Sequence, residues 1–440
     1  MGKKIIVAGA GHGGLAAAAL LAKAGFDVTV YERSKEGTLG YDWTDIFAPS
    51  ALKAIGIELP PSDQYTPDCD RTFYSFNQRI PLKQTIPDDK HEIKIERKFL
   101  YSVLTENALK YGVKFSYDCN ITAPILYGNR VAGIKTSKGD FYADLIIDAA
   151  GMESPVRKNL PDMCGIEHSV GPFEQFYVYR AFYNRPAEVE PTGDYNVYFY
   201  PNGHLGIAWV VSEAEYTDLL LGRFVPFTLD EAETDIEFLR KSNPVLGDTV
   251  LRGGEFVRIP VRQPLSVMVC DGYAAIGDSA FMTIPIIGSG IANSLKAARM
   301  LADTILADNE GAFSADTLWN YQVRYYDEIG AGLASVSCVK TLLTKLTPDE
   351  LDKIFETGMI TAEDFTINSD NSNISTMLSM TPLEAKNRLH ELRKDGKLTK
   401  KFLSVVLRVG KATAATKIMP KKWNRSSVFE WSKKYKKAFE

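Results

Sequence analysis

The sequence predicts an α/β chain: a doubly wound, Rossmann-like domain, an antiparallel β-sheet domain inserted into it, and a helical C-terminal region. Three observations lead there. A strand, a glycine turn, a helix and a second strand follow one another within the first 31 residues. From Phe173 to Pro264 the texture changes to alternating, aromatic-rich runs such as YNVYFYP and LGIAWVV, as in an antiparallel sheet with one exposed face. Beyond residue 326 the remainder reads as helix.

Residues 4 to 8 (KIIVA) read as a short buried strand, Gly14 to Ala24 as a helix crowded with small residues, and Asp27 to Tyr31 as the second strand. A helix at Lys98 to Tyr111 and short strands around Val113–Tyr117 and Arg130–Thr136 follow, and Leu145 to Asp148 (LIID) closes the block. Val267 to Ile276 returns to an apolar strand and Gly290 to Ala307 to a long helix, so the nucleotide-binding domain is discontinuous: 1–65, 96–165 and 265–325. The sheet domain takes 66–95 and 166–264, and the helical region with its basic tail takes 326–440. In that last region Thr347-Pro-Asp-Glu350 and Thr381-Pro-Leu-Glu384 fit a capping box with proline at the first helical position. Between them, Ile367 to Ser375 reads as a polar loop.

A chain of 440 residues exceeds what one core organises, and its 45% apolar and 24% charged content is that of a globular protein. No run of 18 apolar residues predicts a membrane-spanning helix. The start, MGKKIIVAGAG, carries no signal-peptide pattern, and without Ser or Thr at position 6 it lacks the myristoylation pattern too. Five scattered cysteines (Cys69, Cys119, Cys164, Cys270, Cys338) with no CxxC suit a reducing cytoplasm and predict no zinc, iron–sulfur or other metal site.

The net charge of −4 hides an asymmetry: residues 386–440 hold 17 Lys+Arg against 4 Asp+Glu, leaving −17 on the rest. No nucleic-acid partner is expected. The tail either meets an anionic surface, such as lipid or a phosphorylated substrate, or is a solvated helix docked on the acidic body. Leu398, Phe402, Val405 and Val409 fall on one helical stripe, with Lys400, Lys401, Arg408 and Lys411 on the other side. That pattern predicts a helix lying in a membrane interface, which would place the chain peripherally at the inner face. Leu403 and Leu407 fall off the stripe and suit burial on two sides instead.

Gly9-Ala-Gly11-His-Gly13-Gly14 supplies the GxGxxG spacing: Gly9 for the turn, Gly11 for approach of the backbone to a pyrophosphate, Gly14 for close helix–strand packing. His12 reads as a loop residue facing solvent or phosphate. Glu32 ends the second strand, where a carboxylate accepts hydrogen bonds from an unphosphorylated ribose, as in FAD or NAD. Two further motifs separate the two cofactors. Asp148-Ala-Ala-Gly151-Met-Glu-Ser154-Pro-Val-Arg157 follows the LIID strand. Asp271-Gly-Tyr-Ala-Ala-Ile-Gly277-Asp278-Ser279-Ala280 leads to Pro285 and then to Gly288-Ser-Gly290. Asp278 is placed to hold ribityl hydroxyls, and the helix after Gly290 aims N–H groups at the pyrimidine edge of a flavin.

On these residues the chain is similar to the geranylgeranyl reductase branch of the para-hydroxybenzoate-hydroxylase-like flavoproteins. Gly277 through Ala307 matches that family's GD-x-A, proline, G-x-G and long helix. Asp148, Gly151, Ser154 and Arg157 match its DG-x-x-S-x-x-R motif loosely, in order, and Arg97 stands where it keeps an arginine near the flavin. Gly253-Gly254-Glu-Phe-Val-Arg-Ile-Pro260 resembles the segment before the GD strand, and Tyr198-Phe-Tyr-Pro201 the aromatic-proline strand lining the cavity. The resemblance covers residues 1 to about 325. It implies FAD, an apolar sheet-lined cavity for a small hydrophobic substrate, and no tightly held second nucleotide, NAD(P)H serving at most as a transient reductant. With no attachment motif at a His or Cys, the FAD is expected to be non-covalent. Cofactor contacts are expected from Gly9, Gly11, Gly14, Glu32, Arg97, Asp278, Gly288 and Gly290, and cavity walls from Trp43, Tyr198, Tyr200 and Trp209.

Gly40-Tyr-Asp-Trp43-Thr-Asp45 occupies the place of the reductases' cysteine-glycine stretch and has no cysteine, so their catalytic details do not transfer. No catalytic acid or base is assigned. The chemistry expected is hydride transfer at flavin N5 to or from an isoprenoid- or lipid-like substrate. A monooxygenase using NAD(P)H and O₂, and a non-catalytic electron-relay or assembly protein, remain alternatives.

Overall fold

The first 31 residues fold as β1 (Lys4–Ala8), α1 (His12–Lys23) and β2 (Asp27–Tyr31) in a computed structural model that describes residues 2–68, 70–87, 91–365, 387–388, 390 and 393–440. The run continues through β3 (Thr44–Phe47), α2 (Ser50–Ala54), β4 (Tyr65–Pro67), β5 (Arg71–Tyr74), β6 (Leu82–Gln84), β7 (Ile93–Glu96) and α3 (Arg97–Lys110). Then come β8 (Lys114–Ser116), β9 (Ile121–Tyr127), β10 (Arg130–Thr136), β11 (Gly139–Tyr142), β12 (Leu145–Asp148) and α4 (Pro155–Lys158). The aromatic-rich stretch forms β13 (Gln175–Tyr183), β14 (Tyr195–Phe199), β15 (Gly206–Ser212), β16 (Thr217–Arg223), α5 (Leu229–Arg240) and β17 (Val250–Pro260). The last strands, β18 (Val269–Cys270) and β19 (Tyr273–Ala275), precede α6 (Ile291–Leu306), α7 (Ala315–Tyr325), α8 (Ala331–Leu343), α9 (Pro348–Glu356), α10 (Gly396–Lys417) and α11 (Arg425–Lys437).

A six-stranded sheet of order β18-β19-β12-β1-β2-β8 is parallel from β19 to β8. Its central strands are apolar throughout because helices cover both faces: Ile6, Val7, Ile146 and Ile147 are all buried. The apolar run at Val267–Ile276 is not one strand. It folds back at Asp271-Gly272, where Gly272 takes a φ of +73°, so β18 pairs antiparallel with β19.

The second large sheet has seven strands, β17-β13-β16-β15-β14-β5-β6. It is antiparallel except where β5, from the early part of the chain, lies parallel to β14. One face packs on α5 through Tyr198, Ala208, Val210, Ile236 and Leu239. The other face turns toward the six-stranded sheet and the C-terminal helices. Thr347 caps α9 through the reciprocal bonds of a capping box; the companion box at Thr381 and the loop at 367–375 lie outside the described residues.

The stripe on α10 is not free for a membrane. Leu398 and Val405 are buried, and Phe402 and Val409 pack partly buried beside them, on a cluster with Leu342, Leu351 and Phe355. α10 is therefore docked on the body, and Leu403, Val406 and Leu407 point outward. No single helix among the described residues is long and apolar enough to cross a membrane.

Candidate active site

The turn from β1 into α1 is built around glycines that nothing else can replace. Gly9 has a φ of +90°, and a Cβ there would stand 2.7 Å from the Ala149 carbonyl. A Cβ on Gly14 would stand 2.5 Å from that of Ala149, so α1 starts directly against the end of β12. Glu32 locks the turn: its Oε2 accepts from Ala10 N at 2.7 Å and its Oε1 from Ser34 N at 2.8 Å. α1 begins at Gly11 and α6 at Gly290, neither with a side-chain cap nor with an acidic residue in its first turn. These N-termini present free N–H groups and partial positive charge. They lie close, a Cβ on Gly13 of α1 coming 3.0 Å from the Ser294 carbonyl of α6. The donor set fits the phosphates and pyrimidine edge of a flavin dinucleotide.

Asp148 of the DG motif is fully buried and faces protein on every side. It accepts from Ser154 Oγ at 2.5 Å, the Tyr273 hydroxyl at 2.8 Å, Ser279 Oγ at 3.0 Å and Ala150 N at 3.1 Å. Arg157, also buried, donates to the carbonyls of Met152 and Glu167 and lies 4.6 Å above the Phe281 ring. The motif is a clamp that ties the end of β12 to the Gly277–Ala280 turn carrying Asp278. Asp278 accepts from Thr283 Oγ1 at 3.0 Å. Burial pushes its carboxyl above the ordinary range, against the bond from Thr283 and the nearby Arg97 charge.

Arg97 opens α3 and grips Asp45 of β3 with its Nε 2.9 Å from Oδ2 and its Nη2 on Oδ1. Its guanidinium lies 4.7 Å from the Tyr41 ring and 5.7 Å from Trp43. Burial alone would lower its pKa, but Asp45 beside it raises it well above the usual value, so this cation is permanent. One turn on, Tyr101 packs against His12 with ring centroids 4.3 Å apart. His12 Nε2 is buried without a hydrogen-bond partner among the described residues, and burial lowers the imidazole to about 4 despite the pull of Asp45. His12 is therefore neutral at physiological pH.

A histidine held neutral when folded but protonated when unfolded makes stability fall as pH drops from 6.5 toward 4. The loss expected over that window is about 3 kcal/mol, and His12→Gln should flatten it. Urea unfolding of the apoprotein at several pH values measures the slope; identical slopes for the parent and H12Q would exclude His12 as its source.

Between the seven-stranded sheet and α8 runs a cavity of about 220 Å³. One end reaches Gly288, Ser289, Gly290, Arg97 and Asp45. Its walls are mostly apolar: Phe176, Val178, Val197, Phe199, Ile207 and Leu220 from the sheet, Ile286 and Ile287 from the turn before α6, and Val339, Leu342 and Leu343 from α8, with Arg71, Glu92, Arg180 and Asp364 as further charged members. Trp43 and Trp209 line it, flanking the Arg180 guanidinium at 5.6 and 5.2 Å.

Tyr198 and Tyr200 do not line it. Along β14 the side chains alternate, so Val197 and Phe199 take the cavity face and Tyr198 the opposite one. There Tyr198 stacks on Tyr74 and donates to Asn243 Oδ1 at 2.9 Å. Tyr200 lies past the strand in a left-handed turn, with its hydroxyl on the Leu343 and Leu346 carbonyls. Sequence reasoning also missed Arg180, which donates to both oxygens of Asp218 at 2.9 and 2.6 Å and to Thr44. His204 is exposed on its turn, with its Nδ1 2.8 Å from Asp235.

Residues 7–50 match the NAD(P)-binding Rossmann-like domain family. Over 385 residues the chain is 23% identical to the digeranylgeranylglycerophospholipid reductase of Haloferax volcanii, covering 80% of this chain and 88% of that one. A geranylgeranyl bacteriochlorophyll reductase-like protein from Thermoplasma acidophilum superposes with a TM-score of 0.73 at 18% identity, over 89% of this chain and 98% of that one. The chain is a relative of the geranylgeranyl reductase-like FAD-dependent oxidoreductases. The same fold serves oxygenation as well: 2-methyl-3-hydroxypyridine-5-carboxylic acid oxygenase superposes with a TM-score of 0.56 at 18% identity, over 78% of this chain and 93% of that one. In this chain the uncapped N-terminus of α6 and the Arg97–Asp45 pair line the same cavity as the apolar side chains, and the N-terminus of α1 lies beside that of α6.

Proposed function

We propose that this flavoprotein is a reductase of prenyl-lipid double bonds that binds FAD non-covalently and receives its electrons from NAD(P)H or another soluble donor. The largely apolar cavity between the sheet and α8 carries the reading: its aliphatic and aromatic walls suit a hydrocarbon chain, and its few charged side chains suit a polar end group. A bound FAD would supply a hydride at its N5, and saturation of each double bond would take up one proton besides. Gly9, Gly11 and Gly14 with the α1 N-terminus would hold the pyrophosphate, Glu32 the ribose, and Asp278 with the Gly288–Gly290 turn the ribityl chain and ring edge. Val197, Phe199 and Leu220 would hold the body of the prenyl chain. The permanent Arg97 cation, fixed by Asp45, favours negative charge at the cavity's inner end.

Anaerobic turnover with reductant and a geranylgeranyl phospholipid tests the reading. Each reduced double bond adds the mass of two hydrogens to the lipid. Oxygen consumption with a product one oxygen heavier would make the chain a monooxygenase instead. Function that persists after the flavin is removed would make it a relay or assembly protein.

Glu32→Ala should weaken FAD binding about ten- to a hundredfold, the worth of one charge-assisted hydrogen bond to ribose, because it also frees Ala10 N. Asp278→Ala should weaken it as well and shift the flavin absorption band. Fluorescence titration of apoprotein with FAD reads both; unchanged affinity in the two variants would displace the cofactor from this turn.

A further inference from the structure

We propose that the outward face of α10 is a membrane-docking surface that seats the protein on an anionic lipid bilayer. The inference rests on the prenyl-lipid reading for its purpose and on the structure of α10 for its substance. The inward stripe of α10 is used up in the body, with Leu398 and Val405 buried against α8 and α9. A second apolar stripe faces solvent: Leu403, Val406 and Leu407 are 55, 60 and 65% exposed. They sit at i, i+3 and i+4, and exposed Gly410 and Ala414 continue their line for two more turns. A soluble helix docked on one side would carry polar residues there, and three adjacent large aliphatic side chains are the departure.

The charge on the flanks names the occupant. Lys397, Lys400 and Lys411 are exposed along one edge of the stripe and Lys417 along the other. None of the four pairs with an acidic side chain among the described residues, unlike Lys401, which is bound to Glu350. Exposed Lys422, Lys433, Lys434 and Lys437 add to the same end of a region that carries 17 basic against 4 acidic residues. An apolar ridge edged by unpaired ammonium groups matches the boundary between anionic headgroups and acyl chains, where leucines insert and lysines stay at phosphate level. An acidic protein partner would use the lysines but leave the leucine ridge unexplained. The other side of α10 covers α8, whose Val339, Leu342 and Leu343 line the cavity, so docking here brings the hydrocarbon-lined space within one helix layer of the lipid.

The test is sedimentation of the full-length, FAD-loaded protein with phosphatidylglycerol and phosphatidylcholine vesicles at low and high salt. Binding to the anionic vesicles, weak on the neutral ones and reduced by salt, is expected. Leu403→Glu with Leu407→Glu should lower partitioning at least tenfold, and Lys400→Glu with Lys411→Glu roughly fivefold per lysine. Both pairs are on the surface, so flavin content and the circular dichroism spectrum should stay those of the parent. No binding to either vesicle, equal binding to both, or binding that survives the leucine substitutions would overturn the proposal. So would a concentration-dependent dimer, without lipid, that the leucine substitutions abolish, since a second copy would then be the occupant. Because partitioning needs no turnover, a chain that binds vesicles but reduces no prenyl lipid would reject the reductase reading and leave the docking surface standing.

Discussion

Asp218→Asn is expected to destabilise the folded chain by roughly 3–5 kcal/mol, because it strips the counter-charge from a buried cation. Asp218 has no exposed side-chain surface, and Arg180 and Lys94 beside it are only 5 and 9% exposed. Arg180 meets both carboxylate oxygens, while Lys94 Nζ lies 3.1 Å from Oδ2 and is shared with Glu213. Asparagine keeps the shape and loses the charge, leaving Arg180 without a direct counter-ion between two indoles. Burial alone would raise the Asp218 carboxyl, but Arg180 and Lys94 more than offset this and hold it far below its ordinary value. A depressed carboxyl contributes stability that is full above the unfolded value near 4 and is lost as pH falls below it. The variant should therefore unfold at lower urea at pH 7 and lose less than the parent on acidification. Equal midpoints at pH 7 would mean that water reaches the pair.

Val197→Trp should lower kcat/KM for a long prenyl substrate by about a hundredfold, on the order of 2.7 kcal/mol of transition-state binding. Val197 lies on the cavity wall next to Phe199 on β14 and opposite Trp209 on β15, and an indole there would intrude on the 220 Å³. FAD content and its reduction by dithionite should not change, because Val197 is remote from the glycine turn in the fold's other sheet. A short prenyl alcohol should lose less than the full chain does. Tyr198→Phe is the matched control one residue along. It faces α5, so it should cost about 1 kcal/mol of stability through the Asn243 hydrogen bond and leave kcat/KM alone. A V197W enzyme with full activity on the long chain would remove the cavity from the substrate path.

The parts legible in the sequence are those that local chain chemistry dictates. Gly9 and Gly14 sit where any side chain would strike the end of β12, and the strand–turn–helix order around them is local. The two-residue period of β14 was equally plain, but a period does not say which parity faces the cavity. That depends on α5 taking the other face, and nothing within β14 encodes it. The wall contributed by Val339, Leu342 and Leu343 comes from a helix more than a hundred residues later and reads, by itself, as ordinary core. α10 carries two apolar stripes of similar quality, and only the surface offered by α8 and α9 decides which one is buried. The Gly-Asp turn was legible as a motif. Its attachment to Asp148 through Ser279 was not, because it joins segments far apart in the chain.

The parallel seam between β5 and β14 bears on how the molecule comes to be folded. Among the described residues, 71–74 pair with 195–198 and 82–84, and β12 finds its outer neighbour in 273–275. As the chain leaves the ribosome, the first 150 residues hold two unfinished sheets with open, apolar edges. Both close late and nearly together, once residues 195 to 275 have emerged. Contacts of such long sequence separation make acquisition of the native state slow and expose it to misassembly. Pulse-labelled hydrogen exchange during refolding should find the amides that join β12 to β19 and β5 to β14 gaining protection in the same late phase, with β15 and β16, which are consecutive in the chain, protected before them.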